Sequence, residues 1–321
     1  MIFGTLAIFF NVLSIMGFCV LFIIFTLSII VRWKSERLSQ YSVLSRRRVL
    51  WFIALSPWFF GGLAAITVIL SGSHYSPLPQ SFDLLHWHHA QEFAFNSWHG
   101  LSILALVTYT SFLIIRKVYS LIINCRQIKL LQAVAERDSN GFYQLEADAA
   151  TAFTAGYLTP RCYITTALLS QLNSKEYTIV QLHEKEHVRR ADPLMKWFFQ
   201  LLMAFFPKLI SVQLNQSMLL VMEQGADLAV SDKISDKLLI AETLLKVRRL
   251  AERPFKGSLN PNAVCHYGYD NIEERISYLL TKRPAKVFPI ITFICASVSI
   301  SIFCALTADI FHHTIEYTLS H

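Results

Sequence analysis

The sequence has 321 residues, 54% of them hydrophobic and only 16% charged, against the roughly 25% charged residues of soluble domains. That composition excludes an ordinary soluble globule. The net charge of +7 is gathered at the borders of apolar runs, which points to membrane orientation and away from a nucleic-acid-binding surface.

Four apolar runs reach the ~20 residues that a membrane helix needs: 2–31, 49–70, 96–115 and 287–306. The first is uncharged and over-long, which predicts a tilted helix. No Lys or Arg precedes it, so it reads as a retained span and not as a signal peptide. The second contains Pro57 and the pair Gly61 and Gly62, both tolerated in membrane helices. The third is interrupted by Thr108, Tyr109, Thr110 and Ser111. Arg32, Lys34, Arg37, Arg46, Arg47 and Arg48 lie between the first two runs, and residues 71–100 contain no Lys or Arg. Arg116, Lys117, Arg126 and Lys129 follow the third run, and Lys282, Arg283 and Lys286 precede the fourth. Positive loops stay inside. The expected topology therefore has 32–48 and 116–286 in the cytoplasm and the N-terminus, 71–100 and 307–321 outside. Three units follow: a three-span membrane region 1–115, a cytoplasmic domain 116–286, and a fourth span with a short outer tail, 287–321.

Within the cytoplasmic segment a helix is expected to continue from the third span to Ala135 and to break at Asp138-Ser-Asn-Gly141. Residues 142–146 and 152–165 read as short strands, punctuated by Gly156 and Pro160. Asn173-Ser-Lys-Glu176 is a capping-box pattern that starts a helix running to about residue 191, where Asp192-Pro193 ends it. Residues 194–212 are apolar but include Lys196 and Lys208, which predicts one helix at or partly in the membrane interface. Further helices are expected near 215–231, 237–252 and 271–280. The fold class is a mainly α membrane protein with four transmembrane helices and an α+β domain between the third and fourth. Cys19, Cys125, Cys162, Cys265, Cys295 and Cys304 form no C-x-x-C pair, so all six read as structural.

The chemistry is carried by His183-Glu184-Lys185-Glu186-His187. Histidines four apart lie on one helix face, one turn from each other, so both can reach a single zinc ion, one per chain. Glu184 beside them is the candidate general base, acting on a water that the metal acidifies and returning the proton to the leaving amine. Glu186 lies about 200° around the helix from Glu184 and has no catalytic role in this reading. A hydrolytic zinc site needs a third protein ligand. Glu223, in Glu223-Gln-Gly-Ala-Asp227, is the candidate, and Asp227 one turn later can accept a hydrogen bond from a ligand histidine. The plain alternative is a solvated acidic pair, but the preceding residues 218–222 are apolar. His266, with Tyr267 and Tyr269, is either a structural loop residue or a stabiliser of the tetrahedral oxyanion.

Phe153-Thr-Ala-Gly156-Tyr-Leu-Thr-Pro160-Arg161-Cys-Tyr-Ile-Thr165, the metal motif, Arg190-Ala-Asp192-Pro193, Phe206-Pro207, Glu223-Gln-Gly-Ala-Asp227 and Ile272-Glu-Glu-Arg275-Ile follow one another in an order that resembles the BlaR/MecR-type antirepressor membrane metallopeptidases. The resemblance covers nearly the whole chain. It implies a gluzincin-like (zincin) domain with zinc on His183, His187 and Glu223, and Glu184 as base. It also implies a zinc endopeptidase of the bacterial cytoplasmic membrane that cleaves a cytoplasmic DNA-binding repressor, or itself, after an outside signal. By analogy with related zincins, part of Gly156, Pro160, Arg161 and the residues to Thr165 would be an edge strand that binds substrate backbone. Antibiotic-sensing members carry a large outer penicillin-binding domain after the last span. Here 15 residues follow 306, so the signal is expected to be read by the spans, the outer loop or a partner.

Eight of the eleven histidines fall outside the membrane in this topology: His74, His86, His88, His89, His99, His312, His313 and His321. They read either as a metal or pH sensor or as part of an aromatic-rich interfacial helix. The expected partners are the lipid bilayer and a cytoplasmic protein substrate, with a second copy of the chain as a further candidate and no direct nucleic-acid contact. Two other functions fit the motif: an HtpX-type quality-control protease, whose spans are distributed differently, and a non-enzymatic metal-binding scaffold, which would have no use for Glu184.

Overall fold

In the computed structural model the described residues are 1–34, 40–71, 91–138, 141–251, 264–266, 271–281, 286–289, 291–300 and 302–303. Uninterrupted apolar sequence produces the longest helices. Strand β1 (Ile2–Phe3) precedes α1 (Thr5–Lys34), and α2 (Val43–Ser71) carries Pro57 in its interior. Strand β2 (Glu92–Phe93) pairs antiparallel with β1, and α3 (Trp98–Val134) follows, capped by the Ser97 hydroxyl, which accepts from the Gly100 N–H. Thr5–Trp33, Val43–Thr67 and Gly100–Val134 are long and apolar enough to cross a membrane. At 37 residues α3 is about 55 Å long, well beyond the ~30 Å of a hydrocarbon core. Its apolar window is 11% buried, against 56% for those of α1 and α2, so α1 and α2 pack as a pair and α3 presents most of its surface outward.

Within the expected fourth span the described residues include an apolar helix over Ile291–Ile300, and residues 302 and 303 are also helical. The rest of 287–306 lies partly outside the described residues, as do His74, His86, His88, His89, His312, His313 and His321. Its start is tied to α2: the Ser42 N–H donates to the Lys286 carbonyl (3.0 Å) and the Phe288 N–H to Ser45 Oγ (3.2 Å).

After α3 the chain forms β3 (Glu136–Arg137), β4 (Tyr143–Leu145), β5 (Ala152–Ala155) and β6 (Arg161–Thr165). Then come α4 (Thr166–Leu169), α5 (Ser174–Arg189), α6 (Asp192–Met203), α7 (Lys208–Ser231), α8 (Lys237–Leu250), β7 (Val264–His266) and α9 (Ile272–Leu280). The sheet order is β3-β4-β6-β5-β7, with only β4 and β6 parallel. Phe142, Ile164, Leu168, Ile179, Val180, Leu244 and Val247 join one side of the sheet to α5 and α8. Ile128 of α3 packs with Leu145, Phe153 and Tyr163 in a second cluster.

Three expectations change. Strand β6 is interior and not an edge: it is paired to β4 on one side and to β5 on the other. Gly156 and Pro160 form the turn into it. Gly156 sits at φ 114°, where a Cβ would meet the Thr159 carbonyl, so only glycine fits. Second, the apolar run 194–212 is two helices. Pro207 cannot extend α6 and stands at the N-cap of α7, which then runs unbroken through residues 212–215. Third, Asp192-Pro193 opens α6 as well as ending α5, because Ala191 adopts the left-handed conformation (φ 50°) between them.

The largest core joins these parts. Ile15, Ile23 and Leu27 of α1 and Leu50, Ile53 and Ala54 of α2 belong to the same cluster as Phe199 and Met203 of α6 and Leu214, Met218, Val221 and Met222 of α7.

Candidate metal centre

Helix α5 begins with a reciprocal capping box. The Asn173 side chain accepts from the N–H groups of Lys175 and Glu176 (both 3.0 Å), and Glu176 Oε2 accepts from the Asn173 N–H (2.9 Å). The cap sets the register of the helix, which turns His183, Glu184 and His187 inward, all three fully buried. Facing them on α7 are Glu223 and Asp227, each 3% exposed. Gly225 lies between the two acids. A methyl group there would collide with the Arg190 guanidinium, whose Nη2 donates to the Gly225 carbonyl (3.1 Å), so the glycine permits close approach of α5 to α7.

Three donors converge on one point. His183 Nε2 and His187 Nε2 are 3.1 Å apart. Glu223 Oε2 lies 3.4 Å from the first and Glu223 Oε1 3.5 Å from the second. A tetrahedral ion with bonds of about 2.0–2.1 Å separates its ligand atoms by roughly 3.3 Å, so these spacings fit a shared cation. Among the described residues this is the trio of His and Glu side chains able to hold a metal ion.

Each histidine is oriented from behind by a carboxylate. His183 Nδ1 lies 3.1 Å from Asp227 Oδ1, and His187 Nδ1 lies 2.7 Å from Asp192 Oδ2. A proton on Nδ1, shared with the acid, leaves Nε2 as the lone-pair nitrogen aimed at the metal position. Arg275 of α9, 1% exposed, donates twice to Asp227 (2.8 Å each) and lies 3.0 Å from Glu223 Oε2. Thr154 of β5 places its hydroxyl 2.6 Å from Glu184 Oε2 and 3.1 Å from the Glu184 carbonyl. Its single hydrogen serves the shorter contact. Glu184 Oε1 has no hydrogen-bond partner among the described residues.

Electrostatics agree with the geometry. Glu184, Glu223, Asp227 and Asp192 share this buried space with Arg275, and Arg47 reaches Asp192 only at 3.8 Å. With both imidazoles neutral, as cation binding requires, these acids outnumber the buried cations, which suits a divalent ion. Burial pushes the Glu184 carboxyl up, outweighing the nearby imidazoles. Burial also works against ionised Glu223, but Arg275 and the histidines prevail and bring it down to about 2. Asp227 is likewise held below the usual carboxylate range, burial being overcome by Arg275. For His187 burial favours the neutral ring, yet Glu223 and Asp192 lift it to about 9; His183 is raised in the same way by Asp227 and Glu223.

The residues named from the sequence thus meet in part. His183, Glu184, His187, Glu223 and Asp227 form one cluster. Gly156, Pro160 and Arg161 do not join it; the Arg161 guanidinium lies over the Tyr143 ring, 4.9 Å from its centroid. The backbone of His266 is placed opposite Phe153 on β7, one register position from Thr154, while its side chain and Tyr267 and Tyr269 are outside the described residues. Asp192, Thr154 and Arg275 carry no site role that is legible in the sequence. All three lie in segments that carried the resemblance, but no local spacing marks them as partners of the metal motif. Glu186, set apart as non-catalytic, pairs with Arg189 and Arg190.

No curated protein matches the chain. A family profile described as BlaR1 peptidase M56 matches residues 63–279, which is 217 of the 321 residues.

Proposed function

The chain belongs to the BlaR1 peptidase M56 family, and on that premise we propose that it is an integral-membrane zinc endopeptidase that cleaves a cytoplasmic repressor, or itself, in response to a signal. The observation that carries the reading is the convergence of His183, His187 and Glu223, with Glu184 poised beside them. Two imidazoles and a carboxylate are the ligand set of a hydrolytic zinc site. A zinc ion held there supplies Lewis acidity, which polarises a peptide carbonyl and acidifies water.

The chain's own residues do the rest. Thr154 holds Glu184 Oε2, which leaves Oε1 to take the proton of the attacking water. The oxygen adds to the peptide carbonyl carbon, and Glu184 passes the same proton to the departing amine nitrogen. Asp227 and Asp192 keep the two histidines in one tautomer and orientation throughout. Burial of Glu184 raises its affinity for the proton it must carry.

The spans support a membrane location. The clustered Lys and Arg residues support 32–48 and 116–286 on the cytoplasmic side, and the family supports a bacterial cytoplasmic membrane. The apolar helix Ile291–Ile300 supports a fourth span. Regulation is supported by the core that α7 shares with α1 and α2.

The test compares wild type with Glu184→Gln, both purified in detergent. Metal content is measured, and products are sought from the chain and from a co-expressed candidate repressor. Zinc in both with products only from wild type is the expected result. Equal products from both would refute the role of Glu184, and absence of zinc from wild type would refute the site.

A further inference from the structure

The cytoplasmic end of α2 carries two adjacent arginines, and each reaches a different side of the metal cluster. Arg46 is 7% exposed. Its Nη2 donates to Gln224 Oε1, on the residue that follows the ligand Glu223. Gln224 Nε2 in turn donates to the Glu274 carbonyl of α9 (3.2 Å), and the Arg46 guanidinium lies over the ring of Tyr278 on the same helix (5.4 Å). Arg46 therefore joins α2, α7 and α9, and α9 is the helix whose Arg275 grips Glu223 and Asp227. Arg47 Nη2 lies 3.8 Å from Asp192 Oδ1, while the other oxygen of Asp192 holds His187 Nδ1 at 2.7 Å. Val43, one turn before Arg47, sits within van der Waals reach of a Cβ at Gly225, between Glu223 and Asp227.

Two ligands on two different elements are thus tied to one end of one span. The first tie is a hydrogen bond and the second a longer charge contact, and both lie beside the apolar core that α2 shares with α7. Arg46 transmits displacement because its guanidinium, buried, is left desolvated and unpaired if it loses its partner, whereas Arg47, 24% exposed, acts on Asp192 through charge. We propose that Arg46 and Arg47 are positioning residues through which α2 sets the geometry of the metal centre. A shift or rotation of α2 pulls on Gln224, and so on Glu223, and at the same time on Asp192, and so on His187. This inference rests on the metallopeptidase reading and adds the route by which a membrane-side event reaches it.

Coupling of this kind is reciprocal: if α2 sets the site, filling the site must order α2. The experiment uses the full chain in lipid nanodiscs with Zn2+ alone as the probe. It reads hydrogen exchange over residues 42–50 and zinc affinity by chelator competition. In wild type, zinc is expected to slow exchange over 42–50 by about tenfold, and that difference is lost in Arg46→Gln/Arg47→Gln. Arg47→Gln alone is expected to weaken zinc binding about tenfold. Arg47→Lys, which keeps the charge, restores most of the affinity, and Arg48→Gln, an exposed neighbour, changes nothing. If wild type binds zinc and 42–50 does not respond, or if the double variant keeps the full response, the coupling is refuted and the metallopeptidase reading stands. If wild type binds no zinc, that reading fails and the coupling with it. Should the double variant not fold, Arg47→Gln carries the comparison and the wild-type response still decides.

Discussion

Thr154→Val removes one hydroxyl and keeps the shape of a side chain that is fully buried on β5. Among the described residues its charged partner is Glu184, whose Oε2 lies at 2.6 Å. A hydrogen bond to an ionised group contributes about 1.5–3 kcal/mol. The bond favours the carboxylate, so its loss raises a pKa that burial has already pushed up. In the proposed mechanism Glu184 acts as a base only when ionised, so the acid limb of the pH–rate profile is expected to move to higher pH. At a pH on that limb the rate falls by about ten- to a hundredfold, one factor of ten per 1.36 kcal/mol. Zinc content stays at one per chain, because Thr154 touches none of the three ligands. The assay is cleavage of a library of internally quenched peptides from pH 5 to 9, with metal measured on the same samples. An unmoved acid limb would falsify the assignment of Thr154 as the orienting donor of Glu184, and loss of zinc would show that β5 supports the ligands instead.

Other changes separate the parts of the site. Asp192→Ala removes the acceptor behind His187 and should lower zinc affinity by about 10–100-fold, with Asp192→Asn much milder; chelator competition that finds both unchanged contradicts the orienting role. Arg275→Met leaves Glu223 and Asp227 without their buried counter-cation and should destabilise the metal-free protein by about 3–5 kcal/mol, read as a lower melting temperature in detergent that added zinc partly recovers. Glu176 is held below the usual carboxylate range: burial raises it, but Lys246 and the Asn173 N–H outweigh that. Its contribution is therefore complete above the ordinary carboxylate pKa of about 4.3 and is lost as pH falls through the lower folded value. Glu176→Gln should melt below wild type at pH 7, with the gap narrowing as pH falls below the ordinary carboxylate range, and a constant gap at every pH counts against the assignment.

What could be read from the sequence was what chain-local spacing encodes. The i, i+4 histidines and the Asn173 capping box need only a helix to become geometry, and the apolar surroundings of Glu223 marked it as buried. Thr154, Asp192 and Arg275 sit on a strand and two further helices, and their meeting at Glu184, His187 and Glu223 depends on tertiary packing that no spacing records. Strand order is equally non-local. The segment 161–165 is a convincing strand on residue type, but only pairing with β4 and β5 makes it interior. The run 194–212 misled in the opposite way, since its continuous hydrophobicity masked the helix break that Pro207 imposes.

The cluster that binds α7 to α1 and α2 also bears on how the protein is made. Helix α7 holds Glu223, and the apolar face that fixes its pose is completed by Leu50, Ile53 and Ala54 of α2 and by side chains of α1. Residues 116–286 synthesised alone would leave that face wet and the third ligand without a fixed position, so the excised segment should aggregate and bind zinc poorly. Light-scattering and zinc titration of the fragment test this. In the intact chain the same dependence is expected to set the order in which the site assembles. Glu223 is then expected to take its place beside His183 and His187 only once α7 has packed against α1 and α2.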